Sequence, residues 1–312
     1  MRRLALALTV AVLAGRAPAA TVCAGDLPPP KLTAVNKPPA PEPQAVAVLR
    51  VGSPAAADFT YMRELALQWR LNKDKEALKR LALYFDAWAG VYHPSFDPVA
   101  EEALAGFIDA YAVAAPDLPV DVPGRVRPLL FALARGYLHR LAAHDPSLRA
   151  DGRASRAVEL AAMAAWALAD DNLMPQVQRA YVRQLDAEVL PNGQVRDVVR
   201  THSLVPAVEE LDPLARAAMA ANNRGLHWLG LTGAHGQSLR AALDWLEPWA
   251  AGQRWWREPG QKANEGLWDR TTSAEAYWAG SLLNDRYLPT ARSANPVPPH
   301  WIWAQAPCGG TS

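Results

Sequence analysis

Lysine is scarce in this 312-residue chain: 6 Lys stand against 26 Arg. Lys and Arg together number 32 against 31 acidic residues, a formal charge of +1. That balance excludes the broad basic face of a nucleic-acid binder, but a few arginines in one cleft still suit a local anion. Arginine offers a flat bidentate fork for carboxylates; a GC-rich gene produces the same bias and is the plainer cause. No stretch reaches about 18 uninterrupted apolar residues, so no permanent membrane anchor is expected. Phosphate loops, dinucleotide fingerprints and Gly-x-Ser-x-Gly elbows are missing as well. His139, His144, His235 and His300 show no i,i+4 pairing and no carboxylate at ligand spacing, so neither a metal nor a cofactor is expected.

Cysteine is rarer still. Cys23 and Cys308 sit one near each end, too far apart to suggest a metal site. Met1 to about Ala20 reads as a signal peptide: Arg2 and Arg3, a short apolar run from Leu4, then Ala17-Pro18-Ala19 as a small-x-small cleavage site. Val22 before Cys23 is a poor fit to a lipoprotein signal. The expectation is a soluble monomer exported to a bacterial periplasm. There the two cysteines either close the chain ends as a disulfide or remain unpaired thiols.

Between two proline-rich tails, 21–54 and 291–312, the chain reads as a run of helices over 55–290. Leu78, Leu81, Phe85 and Trp88 make one apolar face, with Gly90 as its stop. Asp97 reads as an N-cap, with Pro98 at the first helical position and Glu101 and Glu102 in the first turn. Leu104, Phe107, Ile108 and Tyr111 continue as a buried stripe. Further segments fall near 125–142, 154–169, 175–187, 207–221, 237–251 and 272–284, punctuated by proline and glycine. No alternating β-branched run competes, and no repeat period marks a solenoid. The fold class is all-α, with antiparallel hairpins side by side. Nine of the 12 Trp lie after residue 227. Indole faces suit sugar rings, although most such residues serve as core; Trp255 and Trp256 stand in the stretch best placed for exposure.

Three stretches carry a resemblance. They are Leu65 to Pro98 (LALQWRLNKDKEALKRLALYFDAWAGVYHPSFDP), Leu185 to Leu204 (LDAEVLPNGQVRDVVRTHSL) and Gly236 to Trp256 (GQSLRAALDWLEPWAAGQRWW). In this order and at these separations, over about 55 to 260, the chain resembles the alginate lyase family of polysaccharide lyases. The resemblance implies an incomplete (α/α) toroid of antiparallel helix pairs with a groove for an acidic polysaccharide. It also implies β-elimination on uronate polymers. That chemistry needs the C5 carboxylate neutralised, a base for the C5 proton and an acid for the departing O4. The family supplies these from an Asn-Asn-His motif at the head of a middle helix and a later Tyr flanked by Arg and His.

This chain departs from the pattern at both places. The Asn-Asn-His position reads Asp151-Gly152-Arg153, and Arg200-Thr201-His202-Ser203 keeps the Arg and His without the Tyr. Asn222-Asn223 with His227 lies in the next helix end by order and is not the displaced motif. His202 becomes the expected catalytic group, or else a helix cap near Pro206. Arg153 and Arg200 hold the substrate carboxylate, or form surface ion pairs. Tyr92 stands in for the missing acid, or is an ordinary loop aromatic. His93, Trp255 and Trp256 complete the expected substrate-binding set. Two further functional readings stay open: a descendant that binds an anionic glycan without cleaving it, and a helical scaffold that binds protein.

Overall fold

The structure is a computed structural model that describes residues 27, 30, 32, 54–148, 152–259 and 267–305. The expected signal peptide, Asp151, Cys23 and Cys308 lie outside the described residues. Twelve α-helices occur among those described: α1 Pro54–Asn72, α2 Lys75–Val91, α3 Leu104–Ala114, α4 Asp121–Ala142, α5 Arg153–Leu168 and α6 Met174–Glu188. They continue as α7 Arg196–Thr201, α8 Val205–Asn222, α9 Leu239–Ala250, α10 Ala274–Leu283, α11 Leu288–Ala294 and α12 Trp301–Gln305. The all-α expectation holds, and the helical segments match within a few residues.

Helices α1, α3, α5, α8 and α10 pack in succession as an inner row. Helices α2, α4, α6 and α9 alternate with them along the chain and pack against them or each other from outside. The short connections between α5 and α6, and between α1 and α2, make neighbours antiparallel. The N-termini of the inner helices therefore share one face with the loop residues 92–103, 189–204, 251–259 and 267–273. Composition explains which helices are central. In α5 the run AVELAAMAAWAL, and in α8 ARAAMAA, place small side chains on every side, so flanking helices approach closely and both are buried along most of their length. The apolar core is continuous across the described helices, from Phe59 and Met62 in α1 to Trp278 in α10.

Local chemistry fixes the ends. Asp74 caps α2 by accepting from Glu76 N at 2.9 Å and Ala77 N at 3.2 Å, and Ser238 caps α9. Gly90 does not stop α2, which runs one residue further to Val91. Asp97 does accept from Val99 N at 3.2 Å, but Pro98 begins a series of turns and the helix starts only at Leu104. The reason is Glu101, whose carboxylate is drawn inward rather than exposed in a first helical turn.

The end of the chain also differs from the expected tail. Residues 288–294 form α11, and Trp301, Ile302, Trp303, Ala304 and Gln305 of α12 are all buried. Helix α12 packs on α1 and α3. Its Trp301 indole N–H donates to Glu275 at the head of α10, and Arg216 of α8 lies over the indole at 4.8 Å. It thus sits between the first and last helices of the inner row. Proline content alone misread this segment, because two tryptophans and an isoleucine outweigh it in burial.

Candidate active site

The loop face gathers most residues singled out from sequence. Arg153, the first residue of α5, pairs through Nη1 with Asp97 Oδ1 at 2.8 Å. The close approach behind it depends on Gly152, which has φ +66°; a Cβ there would lie 2.5 Å from Glu209 O of α8. His202 ends α7 in the left-handed region at φ +57°, its N–H donating to Val198 O at 2.8 Å. It is therefore a helix cap, yet its imidazole is exposed. Thr201, which with Ser203 flanks His202 where the Tyr was expected, donates its hydroxyl to Asp197 O at 2.7 Å. Arg200 is 72% exposed and pairs with Asp197 at 3.0 Å.

Trp256 donates its indole N–H to His202 O at 3.1 Å, which ties the third loop to the second. Its ring stands edge-on to Trp249 at 5.5 Å, and Trp249 packs on Trp245 at 4.9 Å. Trp255 is 78% exposed beside this cluster. His93 is exposed on the first loop.

Tyr92 does not belong with them. Its phenol points inward and donates to Glu101 Oε1, while Tyr137 donates to Glu101 Oε2 at 2.5 Å. The same carboxylate accepts from Ser95 N at 2.5 Å and from Phe96 N at 3.3 Å. Burial first, then the Glu101 charge, pushes the Tyr92 and Tyr137 phenols far above their ordinary range. Tyr92 is an anchor for the loop that carries His93 and Asp97, not a free acid. Tyr277 is likewise committed, donating to Leu243 O at 2.7 Å in the core.

Below the face runs a strip of charge that sequence reading passed over. Along α5, Arg153, Arg156 and Glu159 follow at spacings of three, and their side-chain exposure falls from 31% to 16% to 1%. Arg156 bridges Glu102 at 3.2 Å and Glu159 at 2.8 Å. On α8, Glu209, Asp212 and Arg216 descend alongside. Arg216 Nε lies 3.3 Å from Glu159, and its Nη2 lies 3.5 Å from Asp109, which Arg63 Nε meets at 2.9 Å. Gln305 of α12 donates to the other Asp109 oxygen. Asp212 is half-buried, with Oδ1 fully buried and without a hydrogen-bond partner. Burial, then the nearby Glu275 charge, pushes its carboxyl up to about 7. The legible signal was charge at helical spacing inside alanine-rich segments, where the surrounding residues demand burial.

Glu210 faces the opposite way on α8. It accepts from Ser155 Oγ and from Gln184 Nε2, the latter at 3.3 Å, and burial pushes it up to about 7. Gln184 also lines a pocket of about 510 Å³ between α4 and α6, with His144, Arg183 and Glu188. That pocket includes neither His202 nor any residue of the charged strip.

A row of paired helices, with Trp255 and Arg200 exposed on its loop face above an internal charged strip, fits a helical toroid. A family model described as "Alginate lyase" matches residues 45–256, more than half of the chain, and the chain belongs to that family. Among solved structures, the chain is similar to an alginate lyase from Bacteroides ovatus at 15% identity and a TM-score of 0.56. The match covers 77% of this chain and 69% of that one, a likeness of fold. No curated protein matches.

Proposed function

We propose that the protein is a polysaccharide lyase that cleaves a uronate-containing polysaccharide of the alginate type by β-elimination, after export to the periplasm. The observation that supports this reading is the descent of Arg153 and Arg156 along α5, beneath a rim formed by His202, Trp256 and Trp255. Indole faces at the rim stack on sugar rings. The guanidinium groups meet the C5 carboxylate, and neutralising it makes the C5 proton acidic. Arg200, exposed on the same face, attracts further uronates along the polymer. The exposed imidazole of His202 removes the proton.

Mass spectrometry of the digest tests this directly. Elimination gives oligosaccharides lighter by one water than hydrolysis products. Arg156→Ala should lower turnover by about 10²-fold or more, as loss of a transition-state charge contact does. Products of hydrolysis, or undiminished turnover in that variant, would sink the reading. A second reading, binding without cleavage, is favoured by one fact: the Tyr92 and Tyr277 phenols are both committed to other partners. Retained affinity with no new product would support it.

A further inference from the structure

The proposed elimination still requires a proton for the departing O4, and the Tyr92 and Tyr277 phenols are committed to other partners. Asp212 sits one helical turn above Arg216 on the axis-facing strip of α8. It lies seven positions beyond Val205 at the head of the helix, about 10 Å of rise from the end that follows His202. Its Oδ1 is fully buried and accepts from no described residue. A carboxylate oxygen in that state costs stability, and a fold that keeps one is retaining a functional group or a structural defect. The groups that face it are Arg156 and Glu159 from α5, Glu275 from α10 and Arg216 from its own helix. Arg63 of α1 and Asp109 of α3 lie one contact further, through Arg216.

We infer that Asp212 is the general acid that protonates the departing O4 of the uronate polymer. The inference rests on the lyase reading above and names the group that reading leaves open. As His202 takes the C5 proton, the C5–H electron pair becomes the C4=C5 double bond. The C4–O4 bond breaks with its electrons on O4, and Asp212 delivers its proton there. Asp212 ends as a carboxylate beside Arg156, which stabilises the charge just formed, and His202 ends as an imidazolium. Exchange with water returns both groups to their starting states, so no further reactant is needed. The acidic neighbours Glu159 and Glu275 favour the protonated form before the reaction, which is the form a general acid must hold.

The test compares two leaving groups in the full-length protein. One substrate is the uronate polymer; the other is a synthetic uronide carrying a nitrophenyl group on O4, whose aryloxide departs without protonation. Asp212→Asn should lose about 10²-fold or more on the polymer and stay within a few-fold of wild type on the aryl substrate. Asp212→Glu should recover part of the polymer rate. Wild-type turnover of the polymer should fall as pH rises through neutrality, while the aryl rate shows no such limb from this group. Equal loss on both substrates would make Asp212 structural, and undiminished polymer turnover would remove it from the reaction; both leave the lyase reading standing. Wild type inert toward every substrate overturns both. If Asp212→Asn does not fold, the contrast between the two wild-type pH profiles decides alone, and matching profiles overturn the inference.

Discussion

Glu101→Ala is the substitution whose effect follows most directly from the geometry. The carboxylate is fully buried and receives the Tyr92 and Tyr137 hydroxyls together with the Ser95 and Phe96 amides. Alanine leaves two buried phenols and the Ser95 N–H without an acceptor. Each such group costs about 1–3 kcal/mol, so the expected loss for the three is about 3–9 kcal/mol. A domain holds about 5–15 kcal/mol in all, which makes this a severe lesion at one site. Urea unfolding followed by tryptophan fluorescence measures it. Tyr137→Phe removes one donor and keeps the ring that packs edge-on to Phe96 at 5.6 Å, so it should cost only about 1–2 kcal/mol. Combined, the two changes should cost less than their sum, because the second removes a hydroxyl the first had orphaned. A loss below about 1 kcal/mol for Glu101→Ala, or strict additivity, would refute the anchoring role.

Three further outcomes are expected. Glu210 titrates at about 7 in the fold against an ordinary 4.5, so the folded chain holds a proton that the unfolded chain has released between those values. Stability therefore falls as pH rises through that window, by about 3 kcal/mol at most, and Glu210→Gln should flatten the slope in melts taken from pH 4 to pH 8. Trp255→Ala should weaken oligouronate binding by about 1–3 kcal/mol in titration calorimetry with no change in melting temperature, since the ring is 78% exposed. Gly152→Ala forces a Cβ to within 2.5 Å of Glu209 O at a positive φ, and should destabilise the chain by more than about 1 kcal/mol in the same urea assay.

The helices were legible because α2, α3 and their neighbours carry apolar stripes at 3.6-residue spacing between proline and glycine stops. What misled was local weight given to single residue types. Asp97 and Pro98 look like a helix start, but Glu101 is held by two phenols that come from 92 and 137, contacts invisible to any local window. Trp301 to Gln305 looked like a tail because prolines precede it, while its burial depends on α1 and α3, more than 180 residues earlier. On the face itself, Trp255 is exposed in its loop as its polar surroundings suggest, whereas Trp256 is half-buried and Arg153 opens a helix. Arg156 and Asp212 were not legible, since only the packing of α5 against α8 turns two ordinary charges on separate helices into neighbours. Tyr92 was misplaced for the converse reason: an aromatic in a loop faces either way, and the buried carboxylate that turns it inward lies nine residues along.

The most direct test of the central claim is the ultraviolet absorbance of the unsaturated uronate product. The purified mature protein would be incubated with polymannuronate, polyguluronate and a hyaluronan-like control, alongside His202→Ala. Absorbance that grows with wild type on a uronate polymer and is abolished in the variant is the predicted result. No growth on any of the three polymers, with binding to them retained, would contradict the lyase account and leave a glycan-binding protein built on the same toroid.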